Sequence, residues 1–471
     1  MPYLVFSEAL RRLEESGGMV VLEEEFSAEV EAPSAIRKIT STTGKAVLLR
    51  RIKDKDYVLA SGVYYRKQPQ VLGLGSLEEL GRRYLSWLSM FDNPLLEHSD
   101  KLAAMASLAW LSDLFPRVVS VSSGEVEVIQ GYDLDATRFP ALKHSAEEDT
   151  SYVVNPVVLL KTSSSRSFTA TTLPVGVLDE RTLFLALPPR SRASQVISEA
   201  ASGRGRIFAA VLVGAPPPLQ LAASMEWVGY LDFFLLSGLL VGSPVPVARF
   251  ADNTPLPVGA EVVFIGEIEP GDSRPGGRIL MEDNYLAQEV PQPVVRLRRV
   301  ILRKNPVFYT SIVDREASDI VELSRWRDFL LLAHIRRVYP FVKDLRVLPE
   351  DAFRTIVISV DRVSGRELLR LGMFVLSMGA SPRLDTVILV DRDVDVNSPS
   401  EILRAIIRNV NPDRDVVSIP PRAGSRDAEV ESYDVIVDAT SSSSKALAGS
   451  TATSRLEELA RRLAPQHPTG S

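Results

Sequence analysis

The sequence predicts an α+β protein in three parts: an N-terminal α+β region, a barrel-like β domain and a C-terminal α/β domain, followed by a tail. Three observations carry this. Up to about residue 115 helical and strand-like hydrophobic spacing alternate. From about residue 118 short β-branched runs follow one another, separated by Gly, Asp and Ser. Beyond about residue 316 strand and helix succeed each other in a β-α-β rhythm, which predicts a layered α/β domain. A chain of 471 residues is long for one core and calls for two or three.

In the first part, residues 1–115, the segment from Ser7 to Ser16 carries Ala9, Leu10 and Leu13 at helical spacing, with Ser7 as the expected N-cap and Gly17-Gly18 as the stop. A strand over Val20–Glu24, a helix over Pro33–Thr42 and a strand over Ala46–Arg51 follow, then helices over Leu77–Leu88 and Leu102–Phe115. In the second part, residues 116–312, strands are expected at Val118–Val121, Val126–Ile129, Ser151–Leu160, Val175–Leu187, Ile207–Val213, Val247–Phe250 and Glu261–Glu267. Leu219–Ser224 and Tyr230–Leu240 read as helical insertions, the second apolar nearly all round and therefore buried. The third part, residues 313–440, opens with a helical pattern over Glu316–Val338 and then alternates. The tail, residues 441–471, is rich in Ser, Thr and Ala and holds one amphipathic piece, Ser454–Leu463, suited to docking on a neighbouring subunit.

Composition excludes several classes. The net charge of −6 comes without a long basic block, so nucleic acid is not the expected partner. There is no cysteine, which removes disulfides, zinc–thiolate sites, iron–sulfur clusters and thiol nucleophiles together, and fits a reducing cytoplasm or a hot habitat. The apolar stretches near 207–223 and 228–243 are broken by Pro216–Pro218 and Asp232, so neither supplies the roughly 20 uninterrupted apolar residues of a membrane span. A cytoplasmic protein with no membrane partner is expected.

Several segments, in order, resemble one family. They are Arg11-Arg-Leu-Glu-Glu-Ser-Gly-Gly-Met-Val-Val21, Phe139-Pro-Ala-Leu-Lys-His144, Val262-Val-Phe-Ile-Gly-Glu267, Arg303-Lys-Asn-Pro-Val-Phe-Tyr-Thr-Ser311, Val387-Ile-Leu-Val-Asp-Arg-Asp-Val-Asp-Val396, Asn411-Pro-Asp-Arg-Asp415 and Asp438-Ala-Thr440. Over roughly residues 4 to 441 the chain is similar to the UbiD family of decarboxylases that use prenylated flavin mononucleotide. The resemblance implies a central split β-barrel, flavin-reductase-like, that holds the flavin in the family, and a C-terminal α/β domain used in oligomerisation. It implies dimers or hexamers.

The resemblance also implies a site: an Arg-Glu-Glu set and a divalent metal held by Asn, His and Glu. The family segment Pro-Glu-Gly-Pro-Phe-Gly-Glu aligns with Arg274-Pro-Gly-Gly-Arg-Ile-Leu-Met-Glu-Asp283, so its two glutamates fall on Gly276 and Met281. With Val177-Leu-Asp-Glu-Arg-Thr182 and Pro188-Pro189 holding register, the family arginine falls on Pro174, the metal asparagine on Thr169, the metal histidine on Ser191 or Arg192 and the metal glutamate on Phe233. None of these residue types does the chemistry of the one it replaces. The expectation is therefore a family member with a degenerate site and no bound cofactor, a non-catalytic paralogue, a partner subunit of an active relative or a small-anion binder. The alternative is an active carboxy-lyase on an aromatic or unsaturated acid, with prenylated flavin and a divalent metal in a rebuilt site that uses Glu282 or Asp283 as its acid.

Other candidates have bland readings beside them. The hydroxyl-rich run Ser163-Ser-Ser-Arg-Ser-Phe-Thr-Ala-Thr-Thr172, with Arg166, suits an anion cradle or a solvated turn, and Arg190 and Arg192 suit a second anion contact or isolated surface charge. Asp272, Glu282 and Asp283 form an acidic cluster that is either a repurposed acid or a solvated loop. His144, next to Lys143, is an acid/base candidate or a structural histidine. Asp391, Asp393 and Asp395 lack the spacing of a calcium loop and read as strand-end caps. Leu72-Gly-Leu-Gly75 lacks the third glycine of a dinucleotide fingerprint.

Overall fold

The computed structural model describes residues 3–88, 109–122, 124–165, 167–188, 191–203, 205–229, 231–250, 254–281, 291–379, 381, 383–420 and 433–441. The chain divides into two compact units. One is made of residues 1–338, 347–355 and 377–384, the other of 339–346, 356–376 and 385–471. The helix Asp319–Val338, which the sequence places at the head of the C-terminal domain, belongs to the first unit.

The first unit begins with the helix Phe6–Glu15, which buries Phe6, Ala9, Leu10 and Leu13. Its cap is Val5 rather than the expected Ser7. Ser7 lies in the first turn, where its N–H donates to Glu261 Oε1 at 3.1 Å. The helix stops as the sequence predicts. Gly17 takes a left-handed φ of +67°, and the Gly18 N–H returns to the Leu13 carbonyl at 2.7 Å. Met19–Phe26 and Ala46–Ile52 pair in parallel across the helix Glu31–Thr43. Val58–Ser61 runs antiparallel to Ala46–Ile52, and Val307–Tyr309 adds in parallel. The helix Leu77–Leu88 stands where its period placed it. Of the expected helix 102–115, residues 102–108 lie outside the described residues, and Ala109–Leu114 forms a 3-10 helix.

One buried carboxylate fastens this sheet to the helix Asp319–Val338. Asp319 accepts the N–H groups of Val63, Tyr64 and Tyr65 at 3.2, 2.8 and 2.9 Å, and the Tyr309 hydroxyl at 3.0 Å. Burial pushes its pKa up against those bonds.

The central sheet has, among the described residues, ten strands. Its main path runs Tyr152–Val153, Val175–Asp179, Thr182–Leu185, Pro291–Arg303, Val262–Ile268, Ile207–Val213, Val157–Thr162 and Thr169–Thr172. Val126–Gln130 and Ser273–Pro275 pair with the same long strand Pro291–Arg303. That strand carries Thr182–Leu185 on its first half and Val126–Gln130 on its second, so the sheet curls along it. A bulge helps: Ile265 faces Arg299 and Gly266 faces Leu297, which leaves Arg298 without a partner residue in the ladder. Two expected barrel strands went elsewhere. Arg117–Val118 and Pro246–Arg249 join Pro255–Pro257 in a separate three-stranded sheet. The helix Phe233–Val241 is buried nearly all round, as its composition predicted. Asp232 caps it, accepting the N–H groups of Phe234 and Leu235 at 3.0 and 3.1 Å.

In the second unit a five-stranded sheet is ordered Val342–Val347, Thr355–Val360, Thr386–Asp391, Asp434–Asp438 and Val416–Ile419. The helix Gly365–Ser377 lies on it with Gly372 against Ile436, where a Cβ would come within 2.8 Å of the isoleucine. Of the aspartate row, Asp391 closes the end of its strand by accepting the Ser441 N–H at 2.9 Å, and Asp395 accepts the Asn397 N–H at 2.8 Å in the turn beyond it. No helix among the described residues is long and apolar enough to cross a membrane.

Candidate functional site

The positions carried over from the family separate into two groups in space. The first lies on the segment 275–281. Gly277 holds a left-handed φ of +75°, and a Cβ there would lie 2.8 Å from that of Asp149. The segment is clamped by two adjacent carboxylates. Asp149 receives the Arg278 backbone N–H at 2.8 Å and its guanidinium through Nε and Nη2, both at 3.1 Å. Those bonds hold the Asp149 carboxyl down to about 2, although it is exposed. Glu148 is buried and accepts four donors: the Leu280 N–H and the Tyr152 hydroxyl on Oε1, each at 2.6 Å, and the Ser145 N–H at 3.0 Å and the His144 N–H on Oε2.

Beside these polar clamps an apolar cluster packs against the segment. Tyr152, Val154, Phe184, Ile279, Val294 and Val313 form a buried cluster, and Met281 packs against it. The Phe184 ring, 1% exposed, lies between two glycines. A Cβ on Gly276 would stand 2.9 Å from its Cε2, and one on Gly176 would stand 1.8 Å from its Cε1. The space that a side chain at 276 would enter is thus taken by a phenyl ring, and Met281 presents a thioether. Neither position holds or moves a proton. Glu282 and Asp283, the replacement acids suggested by the sequence, lie outside the described residues. Pro174 sits between Thr169–Thr172 and Val175–Asp179, where its carbonyl accepts the Ala186 N–H at 3.0 Å.

The second group is brought together as the register implied. Thr169, Arg192 and Phe233 line one cavity with Phe168, Met225, Glu226 and Gly229. Its volume is only about 20 Å³. Ser191 is fully buried and serves as a helix cap: its hydroxyl accepts the Ser194 N–H at 3.1 Å at the head of the helix Arg192–Gly203. Arg166 and Arg190 lie outside the described residues. The buried carboxylate here is Glu226, which the sequence reading passed over. It accepts the Thr171 hydroxyl at 2.5 Å. Burial pushes its pKa up, opposed by that bond, by the Arg192 backbone N–H and by the Arg192 and Arg327 charges.

The lining does not fit a divalent metal or a flavin phosphate as it stands. A hydroxyl, a guanidinium and a phenyl ring stand at the positions carried over for the metal ligands, Glu226 is the one carboxylate among the described lining residues, and pockets for small-molecule cofactors run to hundreds of Å³. A larger open groove of about 630 Å³ exists elsewhere, lined by Arg50, Tyr57, Val126, Arg303 and Lys304 among others, and none of the carried-over positions reaches it.

His144 is buried, and neither ring nitrogen has a hydrogen-bond partner. Its Nδ1 is 3.9 Å from Glu148 Oε2, too far to be one. Its ring lies against Tyr152, with centroids 5.1 Å apart. Burial first, and the Arg37 charge second, lower its pKa to about 3 from 6.5. The structural reading of this histidine is the one the geometry favours. A depressed histidine binds its proton more readily in the unfolded chain. Its contribution to stability is therefore complete above about pH 6.5 and is lost as pH falls from there towards 3, at about 1.4 kcal/mol per pH unit. Replacing His144 by phenylalanine should raise stability at pH 7 by about 1–2 kcal/mol, because two unpaired buried nitrogens go. Urea unfolding of both proteins between pH 4 and 7 should show the gap widening towards acid. A gap that stays constant would show that the ring titrates normally.

Comparison with known proteins follows this geometry. The profile of the 3-octaprenyl-4-hydroxybenzoate carboxy-lyase Rift-related domain matches residues 117–316, and that of the carboxy-lyase C-terminal domain matches residues 324–436. An uncharacterised protein of Archaeoglobus fulgidus is 23% identical over 426 residues, 89% of this chain and 87% of its own. One of Aeropyrum pernix is 23% identical over 405 residues, 84% of this chain and 82% of its own. Among solved structures, the vanillic acid decarboxylase of Sedimentibacter hydroxybenzoicus in closed form superposes with a TM-score of 0.79 at 19% identity, covering 99% of this chain and 100% of that one. An evolved dimeric form of the UbiD-class enzyme HmfF from Pelotomaculum thermopropionicum, in complex with prFMN, gives 0.70 at 19% identity, covering 93% and 95%. Matches at both domains and a shared fold along almost the whole length leave one conclusion: this chain belongs to the UbiD family.

Proposed function

We propose that this chain is a UbiD-family protein whose decarboxylase site has been dismantled, and that it acts as a non-catalytic paralogue, most simply as a partner subunit of an active relative. One observation carries the reading. Phe184 occupies the space in front of Gly276 while Met281 joins the same apolar cluster, so neither carboxylate position of the family is ionisable and the room for one of them is filled. The small cavity at Thr169, Arg192 and Phe233 supports it, since beside the carboxylate of Glu226 its described lining offers a guanidinium and neither an imidazole nor an amide side chain, and its volume falls far short of a flavin phosphate pocket. Self-association as a dimer or hexamer, and residence in the cytoplasm, belong to the same proposal.

A second reading keeps an active carboxy-lyase on an aromatic or unsaturated acid, with prenylated flavin and Glu282 or Asp283 as the acid. Its support is the fold, shared with an enzyme crystallised in complex with prFMN. The two differ in a direct measurement. Co-expressed with a flavin prenyltransferase and purified, the protein should be colourless above 350 nm or so, in a range where flavins absorb, and should release no carbon dioxide from a cinnamate-like acid. A yellow protein that releases it would establish the second reading and end the first.

A further inference from the structure

We propose that the pocket bounded by Thr169–Thr172, the head of the helix Arg192–Gly203 and the turn 226–229 is a cation site that the protein fills with its own guanidinium, that of Arg192. Four features of the pocket point to it. Glu226 is 8% exposed, and a carboxylate so placed needs a compensating charge or must take up a proton. Its near partners are the Thr171 hydroxyl at 2.5 Å and the Arg192 N–H, with the Arg192 side chain, and after it that of Arg327, acting on it electrostatically. Arg192 is the first residue of its helix, the end at which a cation is disfavoured, so something else must hold it there. Gly229 supplies the seat. A Cβ on Gly229 would stand 2.2 Å from Arg192 Nη1 and 2.3 Å from Cζ. The glycine has φ −67°, a conformation open to any residue, so space rather than backbone freedom requires it. The cavity that remains, about 20 Å³, has room for a water-sized group and for nothing as large as a second guanidinium.

The proposal does not depend on the loss of decarboxylation, which is read at positions 276 and 281, and its test uses neither flavin nor acid substrate. Arg192→Ala should uncover a site for a small organic cation or a divalent ion. Melting of the purified full chain is followed with and without millimolar methylguanidinium, and separately with Mn²⁺. The parent protein should be indifferent to both. Arg192→Ala should melt at least about 5 °C lower, and methylguanidinium should restore half of that or more. In R192A/E226Q the cation should have no effect, because the charge it answers is gone. The proposal is overturned if Arg192→Ala melts with the parent, if methylguanidinium leaves it unchanged, or if the cation raises the double variant equally. Should Arg192→Ala not fold, recovery of a folded R192A/E226Q is the supporting result, and its failure to fold overturns the proposal.

Discussion

Gly276→Glu, which puts back the carboxylate that active relatives are expected to carry, should destabilise this protein by about 3–5 kcal/mol. The clash begins at the first side-chain atom. A Cβ at 276 meets Phe184 at 2.9 Å, and the ring has nowhere to retreat, because the space over Gly176 on its other side is closer still, at 1.8 Å from a notional Cβ. Beyond the clash, a carboxylate would have to leave water for a cluster of Tyr152, Val154, Ile279, Val294 and Val313, although Arg37, on the Val313 carbonyl at 3.1 Å, and Arg383, on the Met281 sulfur at 3.7 Å, lie at its edge. Phe184→Ala alone should cost about 3–5 kcal/mol, the usual loss for emptying a core phenylalanine site. The two together should cost less than their sum by at least about 1 kcal/mol, since the smaller residue vacates the space the glutamate needs. Denaturant midpoints at unchanged m-value measure all three. If Gly276→Glu proves neutral, the ring is not the obstacle, and the case for a filled pocket goes with it.

The second large effect is expected at Glu148. Glu148→Ala should cost about 3–5 kcal/mol or more, because three backbone N–H groups and the Tyr152 hydroxyl lose their common buried acceptor at once. Glu148→Gln should be nearly as harmful. It keeps the shape but turns one acceptor into an amide donor, aimed at groups that are themselves donors. The loss should be local as well as global. The Leu280 amide, 2.6 Å from Glu148, should exchange its hydrogen at least about tenfold faster than in the parent, while amides of the sheet around Asp319 keep their relative protection. Uniform loss of protection over both regions would mean that Glu148 supports the whole core rather than the segment 275–281.

Much of the fold was legible from neighbours along the chain. The helix Leu77–Leu88 and the strand Ile207–Val213 lie where periodicity placed them, and Gly17 ends its helix through the left-handed turn its residue type favours. The long strand Pro291–Arg303 was missed for a physical reason. The bulge at Arg298 breaks the two-residue alternation that marks a strand, so Arg296, Arg298 and Arg299 hide its apolar face. Ser7 was misread because a good capping residue two positions too late, inside the first turn, caps nothing. Of the positions carried over from the family for its metal, Thr169, Phe233 and, of the pair Ser191 or Arg192, Arg192 line one cavity, although they are far apart in the chain.

Residue order settled that Gly276 and Met281, the positions onto which the resemblance carries the family's two glutamates, offer no ionisable group. Chemistry of that kind is a property of the residue and travels with the letter. Whether the vacated space is open or closed is a property of packing, and packing joins residues that the chain keeps apart. Phe184 fills the space before Gly276, Glu226 meets Arg192 over Gly229, and Glu148 ties down Leu280. None of those pairings leaves a periodic trace in its own neighbourhood, because each joins residues that tertiary packing brings within van der Waals reach: a strand residue against a loop glycine, a turn against a helix start, and one loop against another.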